Sequence, residues 1–407
     1  MIYGLIGNPL GHSLSPELHA MYGLEGYGLF ELSEEEIPEL LASPDLCGVN
    51  VTIPYKRLCA GFCARLSPEA EMTGCVNTVV REKDGALCGY NTDVSGFISA
   101  VKALNADVHG RKCVIFGSGG ASCAVNAALS MLGAGETVTV SRSGPVNYDM
   151  TELFSDAEIV VNATPLGMWP KCAGQAASLS LFPNCRAVFD AIYSPLRTDL
   201  LLEAEKRGIP YANGLVMLTA QAAETEKIFG FSPEISPVTA AEILRRRTEN
   251  AVLIGMPGAG KTTVGRALAK MLGRSFFDSD EEIEKEVGLT VPQIFESYGE
   301  GRFRELERES IERLGKVRGG VISVGGGAVL DERNMISLRR NGRIYRIERD
   351  ITALCTSDRP LSVNPEKLYA ERRPLYLRYS QAFAENSGTP EETAGKIRDE
   401  FFHVGDF

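Results

Sequence analysis

Short apolar runs, each closed by glycine and followed by a helix rich in small residues, recur along the chain. Two are marked: KCVIFGSGGASCAVNAALSMLG (112–133) and NAVLIGMPGAGKTTVGRALAKMLG (250–273). An unbroken apolar run of that length reads as a buried parallel strand. The glycines after it put helix amide groups where a phosphate can be held. TVTVSRS (137–143), AEIVVNATP (157–165) and CRAVFDAIY (185–193) read as further strands of the first glycine-loop domain. YGLIG and GVNVTIP belong to a separate α/β segment before it. Alternating strands and helices predict doubly wound α/β domains. Helical TAAEILRRRTEN (239–250) runs almost directly into a new strand, so a boundary is expected at 247–250. The expected segments are 1–100, 101–247 and 250–407. No Gly/Ser- or Pro-rich linker separates the halves, which are therefore expected to be held close, and no internal repeat is visible.

Length and composition fit this division. A chain of 407 residues exceeds one ordinary core. No apolar stretch approaches the roughly 20 residues that cross a bilayer, so no membrane partner is expected. The start, MIYGLIGNPLGHS, lacks the basic and apolar regions of a signal peptide, and a cytoplasmic location is expected. A net charge of −11 argues against nucleic acid as a partner. Nine of the ten cysteines precede residue 190. Cys59 and Cys63 form the one close pair, without the further ligands of a zinc site, so reduced and mostly buried thiols are expected.

Chemistry in the first half begins with the loop Gly117-Ser118-Gly119-Gly120-Ala121, whose spacing departs from G-x-G-x-x-G and alone fits a structural turn equally well. The next strand, however, ends in Ser141-Arg142-Ser143, and an arginine there accommodates the 2′-phosphate of NADP. GNPLGHSLSPELH (7–19) sets Ser13 and Ser15 in a turn, where two hydroxyls can meet a carboxylate. NVTIPYK (50–56) presents Thr52 and Lys56, and GCVNT (74–78) and GYNTD (89–93) add Asn77, Asn91 and Asp93. A lysine beside an aspartate is a plausible proton-transfer pair for reducing a ketone. Taken singly, each of these residues is a turn former or a surface charge.

In order, these clusters resemble the shikimate dehydrogenase family from Met1 to about Arg247, joined by NATPLGM (162–168), DAIYSPLRTDLL (190–201) and GLVMLTAQA (214–222). The resemblance implies a dehydroshikimate-binding lobe facing a Rossmann lobe that takes NADP(H). On it, Ser13 and Ser15 bind the substrate carboxylate, and Thr52, Asn77, Tyr193 and Gln221 hold ring hydroxyls. Lys56 and Asp93 are the catalytic pair, with Lys56 protonating the ketone oxygen. Gly117, Gly119, Gly120, Ala121, Ser141, Arg142 and Ser143 serve the dinucleotide, and Thr164, Gly214 and Met217 its nicotinamide end. The chain departs from the family at Ala20, where Asn is usual, at Cys75, where Ala is usual, and in a short segment from Tyr22 to Leu46.

The second glycine loop, Gly255 to Thr262, is a complete G-x-x-x-x-G-K-T motif between a strand and a helix. Its amides are expected to cradle phosphates, Lys261 to reach the transferred group and Thr262 to bind magnesium. FFDSD (276–280) supplies Asp278 and Asp280, expected to point the same way along a strand. EGRFRELE (300–307) carries Arg304 with Glu307 one turn on, and SVGGGAV (323–329) is a glycine-rich strand end. DRPLS (358–362) and ERRPLY (371–376) add Arg359 and Arg372.

This order resembles shikimate kinase over 250–407, a P-loop kinase with a parallel sheet like that of nucleoside-monophosphate kinases. The resemblance implies ATP and Mg2+ held by Gly258, Ala259, Gly260, Lys261, Thr262 and Thr263, with Asp278 joining Thr262 around the metal. Asp280 takes the acceptor hydroxyl; Arg304, Arg372, Gly325, Gly326 and Gly327 hold shikimate. Arg359 comes from a lid that is shorter here than usual in the family. The expected activity is reduction of 3-dehydroshikimate to shikimate followed by phosphorylation of shikimate. An NAD-preferring quinate/shikimate dehydrogenase is the alternative for the first half, and Arg142 speaks against it. A non-catalytic role for either half is the other alternative, opposed by the presence of Lys56, Asp93, Lys261 and Asp280. Oligomeric state is left open.

Overall fold

A computed structural model describes residues 1–11, 13–354 and 365–402. It is an α/β chain built on three sheets. The chain divides into two compact units, one of Met1–Tyr193 and Thr198–Leu244, the other of Ser194–Arg197 and the chain from Arg245 on.

The first unit holds two sheets. In the first, strands β1 (Ile2–Gly7), β2 (Gly28–Glu31), β3 (Leu46–Val51), β4 (Arg65–Leu66), β5 (Thr78–Arg81) and β6 (Leu87–Tyr90) lie in the order β2-β1-β3-β5-β6-β4. β1 is parallel to β2 and β3, whereas β5 runs antiparallel to β3 and β6. In the second, β7 (Lys112–Phe116), β8 (Glu136–Val140), β9 (Ile159–Asn162), β10 (Ala187–Asp190) and β11 (Tyr211–Ala212) are all parallel, in the order β11-β10-β9-β7-β8. The chain leaves β7 to one side for β8 and returns to the other for β9. That reversal opens a crevice at the carboxyl end of β7, where ligands of such sheets bind. β7 and β9 are buried on both faces, as their unbroken apolar sequences require. Helix Leu215–Ile228 packs along helix Thr92–Ala103 and against helix Ser15–Met21, so the end of this unit returns to its beginning. Gly96 makes that approach close: a Cβ there would stand 2.7 Å from the Met217 carbonyl oxygen.

The second unit has one parallel sheet, β12 (Asn250–Ile254), β13 (Phe276–Asp278), β14 (Val321–Ser323), β15 (Gly342–Glu348) and β16 (Ala382–Glu385), in the order β13-β14-β12-β15-β16. Central β12 is the core of the unit, with Ala251, Val252 and Leu253 fully buried. Arg197 belongs to this unit, ion-paired to the fully buried Glu249 at 3.0 Å and donating its backbone N–H to the Arg340 carbonyl at 2.8 Å. Among the described residues no helix is long and apolar enough to cross a membrane.

Leu253 is fully buried in the core of this unit, so truncating it leaves a cavity. Leu253→Ala should therefore destabilise the second unit by about 2–5 kcal/mol, read as a lower unfolding midpoint for the transition that exposes it to protease.

Candidate active sites

In the first unit the segments carrying Lys56, Asn77, Asp93 and Gln221 converge. Lys56 opens helix Lys56–Ala60 just after β3, and Asp93 sits in the first turn of helix Thr92–Ala103, capped by Asn91. The Lys56 ammonium donates to the Asp93 carboxylate in a largely buried ion pair. Asn77 fixes the other carboxylate oxygen: its Nδ2 donates to Asp93 Oδ1 and Thr92 Oγ1, both at 2.9 Å, and stands 3.5 Å from Gln221 Oε1. Its Oδ1 accepts from the Thr92 N–H at 2.8 Å. The cation is thus held by an anion whose own position is set by a hydrogen-bonded amide.

The cofactor loop lies beside this cluster. A Cβ on Gly120 would stand 3.1 Å from Lys56 Cδ. Gly117 turns the chain at φ 114°, and a Cβ there would meet the Ala163 carbonyl at 2.7 Å and Thr164 Cγ2 at 3.2 Å. Helix Gly120–Met131 begins at Gly119 without a side-chain cap, leaving its first amides for an anion. β8 ends at Val140, so Ser141–Ser143 form the loop after it, with Arg142 and Ser143 exposed. The buried Ser141 hydroxyl has no hydrogen-bond partner among the described residues. An uncapped helix start, an orphaned hydroxyl and an adjacent arginine together suit a dinucleotide carrying a further phosphate. Ser13 and Ser15 pair with each other at 3.0 Å, outside the Lys56 network. Thr52 follows β3 and lies against Gly7, and Tyr193 is half-buried three residues after β10. Gly214 tolerates no side chain, since a Cβ would come within 2.2 Å of the Ala191 carbonyl, and Met217 is buried one turn before Gln221.

In the second unit the phosphate loop is held open by glycines at φ 147° (Gly255), 80° (Gly258) and 93° (Gly260). Lys261 Nζ donates to the carbonyls of Gly255 and Met256, 3.0 Å each. Thr262 Oγ1 donates to Asp278 Oδ2 at 2.8 Å, which sets a hydroxyl and a carboxylate together as a magnesium site requires. Thr263 is exposed. The expectation for FFDSD needs correction. β13 ends at Asp278, which caps helix Ser279–Val287 by accepting from the Asp280 N–H, so Asp280 projects from a helical turn rather than along the strand.

Gly325, Gly326 and Gly327 are the junction of this site. A Cβ on Gly325 would stand 2.9 Å from Asp280 Oδ1 and 3.0 Å from Glu307 Oε1; one on Gly326, 2.6 Å from Pro257 of the phosphate loop; one on Gly327, 2.5 Å from Arg304 Nη1. Arg304 donates to Glu307 at 2.8 Å and to Glu300 at 3.1 Å, while Arg372 is buried on helix Pro365–Tyr379. Burial raises Glu307 to about 7 although Arg304 opposes the shift, and its Oε1 has no hydrogen-bond partner among the described residues. An orphaned carboxylate oxygen beside Asp280 and two arginines suits a ligand with both hydroxyl and carboxylate groups. Arg359 lies outside the described residues.

Two family models match separate stretches of the chain. A shikimate dehydrogenase from Caldanaerobacter subterraneus subsp. tengcongensis is 35% identical over 249 residues, which is 54% of this chain and 89% of that protein. The chain belongs to the shikimate dehydrogenase family. The model for the shikimate dehydrogenase substrate-binding domain matches residues 5–79. The shikimate 5-dehydrogenase of Thermus thermophilus, solved in complex with NADP(H) and shikimate, is similar at TM-score 0.54 and 34% identity, covering 60% of this chain and 99% of that one. A chorismate mutase/shikimate 5-dehydrogenase fusion from Clostridium acetobutylicum is similar at TM-score 0.56 and 32% identity, over 60% and 96%. Beyond the dehydrogenase part, the chain carries a shikimate kinase domain, matched over residues 257–401.

The sequence reading missed residues that hold these groups in place. In the dehydrogenase part they are Thr92 and Thr225, bonded to each other and to the Asn77 network. In the kinase domain Ser279 accepts from the Gly325 N–H, Tyr376 donates to the Gly326 carbonyl at 2.6 Å, and Asn386 donates to the Ala259 carbonyl at 2.8 Å.

Glu307→Gln should raise the KM of the kinase for its phosphoryl acceptor by roughly tenfold, the worth of one charge-assisted hydrogen bond, and leave the KM for ATP unchanged. With a carboxyl near 7, kcat/KM should climb as pH rises through neutrality and Glu307 ionises. The variant should lack that step; an identical profile in both would show that Glu307 takes no part.

Proposed function

We propose that the chain catalyses two successive reactions on one metabolite: NADPH-dependent reduction of 3-dehydroshikimate to shikimate, then transfer of the terminal phosphoryl group of ATP to the hydroxyl just formed. What carries this reading is the Lys56–Asp93 pair, tied by Asn77 to Gln221 and lying against the Gly120 loop. A ketone reduced beside that loop has a proton donor within reach.

NADPH, when bound, supplies the hydride. Lys56 gives its proton to the oxygen that becomes the hydroxyl, and Asp93 holds the lysine's ammonium group in place. Asn77, Thr52, Tyr193 and Gln221 orient the ring, and Ser13 and Ser15 take the carboxylate through two hydroxyls. Arg142 and Ser141 fit the 2′-phosphate, which favours NADP over NAD.

In the kinase the ATP–Mg2+ complex supplies the phosphoryl group. Lys261 and the amides from Gly258 to Thr263 hold the phosphates, and Thr262 with Asp278 holds the metal. Asp280 orients the attacking hydroxyl or takes its proton. Arg304 and Arg372 grip the acceptor carboxylate, and Gly325, Gly326 and Gly327 let the ring approach the backbone. Arg359 is proposed to neutralise charge on the transferring group. Residues 1–100, 101–247 and 250–407 are taken as substrate lobe, Rossmann lobe and kinase. A cytoplasmic location accords with cysteines such as Cys59, Cys88 and Cys113, which are buried thiols, since disulfides are rare where thiols are kept reduced.

A coupled assay with 3-dehydroshikimate, NADPH and MgATP tests the scheme, following shikimate and then its phosphate. Lys56→Ala should slow reduction by about 10²–10⁴-fold, the usual worth of a general acid, and leave phosphorylation of supplied shikimate unchanged. Lys261→Ala should do the reverse, so that shikimate accumulates. Loss of both activities in either variant would refute two independent sites.

A further inference from the structure

Two buried polar side chains outside the reaction scheme meet at the carboxyl edge of the second sheet. Asn162 ends β9 and Asp190 ends β10, and the two are paired in register across these adjacent strands. Asp190 Oδ1 accepts from Asn162 Nδ2 and from the Ile192 N–H, both at 3.0 Å, and its Oδ2 accepts from the Thr198 hydroxyl at 2.6 Å. All three donors are uncharged. A carboxyl group buried to that extent is costly unless its lone pairs are used. The segments that supply the donors are therefore held to wherever Asp190 stands.

Those segments lead to the loops around the cofactor turn. Asn162 Oδ1 accepts from the Thr164 N–H at 3.1 Å and from the Thr164 hydroxyl at 2.7 Å, while its Nδ2 also reaches the Leu166 carbonyl at 3.3 Å. Thr164 Oγ1 in turn accepts from the Leu166 N–H at 3.2 Å. The loop after β9 is thus wound around one amide, and it lies against the glycine turn, where a Cβ on Gly117 would stand 3.2 Å from Thr164 Cγ2. After β10, the Ala191 N–H donates to the Asn162 carbonyl at 2.9 Å, and the Ile192 carbonyl accepts from the Gly214 N–H at 3.0 Å. Thr164 and Gly214 are the residues expected at the nicotinamide end of the dinucleotide. The first is bonded to Asn162 directly, and the second is tied to Asp190 through Ile192.

We propose that Asp190 and Asn162 are positioning residues of the reductase, which together fix the two loops that receive the nicotinamide ring. Neither side chain meets the reacting atoms; they act through Thr164 and Gly214. The phosphate end of the dinucleotide belongs to other segments. Ser141 and Arg142 follow β8, which is separated from β9 by β7. Loosening the pair therefore frees the ring and leaves the adenosine 2′-phosphate in place. Hydride transfer needs the ring in near-attack geometry, and a displacement of about 1 Å costs on the order of 10²-fold in rate.

This inference rests on reading the Lys56–Asp93 cleft as the reductase site. Asp190→Ala and Asn162→Ser, each in the full chain, test it by calorimetric titration with NADPH and with adenosine 2′,5′-bisphosphate, a fragment that lacks the nicotinamide. NADPH affinity should fall about tenfold, the worth of a hydrogen bond or two, while fragment affinity stays at the parent value. The kcat for reduction of 3-dehydroshikimate should drop on the order of 10²-fold, and phosphorylation of shikimate should be unaffected. Asp190→Asn keeps the shape and one acceptor oxygen, and should recover most of both losses. If Asp190→Ala binds neither ligand, Asn162→Ser decides. Loss of the fragment together with NADPH in both variants would show that the pair supports the fold alone and would overturn the proposal, as would a parental kcat in either variant. A parent that does not reduce 3-dehydroshikimate would refute the functional reading instead, and the split between NADPH and fragment binding would still decide whether the pair positions the ring.

Discussion

Both halves depend on one backbone constraint: a buried parallel strand must end in a turn that presents the amides of the next helix to an anion. Only a residue without a side chain makes that turn. At Gly117 a Cβ would meet the Ala163 carbonyl at 2.7 Å, and at Gly255 it would meet the Ile347 carbonyl at 2.5 Å. In each case the obstructing atom belongs to the adjacent strand or the loop leaving it, so the glycine lets the loop fold over the sheet edge. With φ at 114° and 147°, these positions are also strained for any other residue. Once the turn is fixed, the uncapped amides define where phosphate goes, and the strand order determines which side chains surround it.

Around this common element the two halves arrange charge in different ways. The dehydrogenase part holds a single cation, Lys56, by an anion that is itself held through Asn77. Hydrogen bonds to charged groups are worth about 1.5–3 kcal/mol each, so a chain of them fixes an ammonium group that free rotation would otherwise scatter. The kinase domain instead gathers carboxylates and guanidinium groups around three glycines, each touching a different component of the site. There the backbone supplies the order. Gly326 meets the phosphate loop, Gly325 meets Asp280 and Glu307, and Gly327 meets Arg304, so donor phosphate and acceptor are registered against one short segment. A methyl group at any of the three would displace the component it faces.

The parts of this organisation that were legible in the sequence are those made by neighbours in the chain. The phosphate loop works through consecutive amides, so GMPGAGKT specifies it wherever it folds. The Lys56–Asp93 pairing joins residues 37 apart and was legible only as two motifs, with contact between them an inference. Residues that position others left no such signal. Tyr376 reaches the Gly326 carbonyl across 50 residues and Asn386 reaches Ala259 across 127. Each is a single polar side chain in an ordinary helix or strand end. Asp280 was misread because periodicity cannot tell where a three-residue strand stops, and the Asp278 cap starts the helix two residues earlier than the carboxylate spacing suggested. The assignment of Ser194–Arg197 to the second unit follows from long-range contacts of Arg197, which no local pattern encodes.

On the proposed reading, the two sites recognise one carboxylate with unlike tools, and that difference has a direction. Ser13 and Ser15 offer neutral hydroxyls, one of which already donates to the other. Arg304 and Arg372 offer guanidinium groups, and charge-assisted, bidentate contacts are roughly twice as strong as neutral ones. Arg304 is also held in place before any acceptor arrives, by Glu307 and Glu300, so less side-chain entropy is lost on binding. Reduction by NADPH is reversible in principle, whereas phosphorylation removes the hydroxyl that the reverse reaction would oxidise. Phosphorylation thus favours the forward course without any requirement that the intermediate stay on the protein.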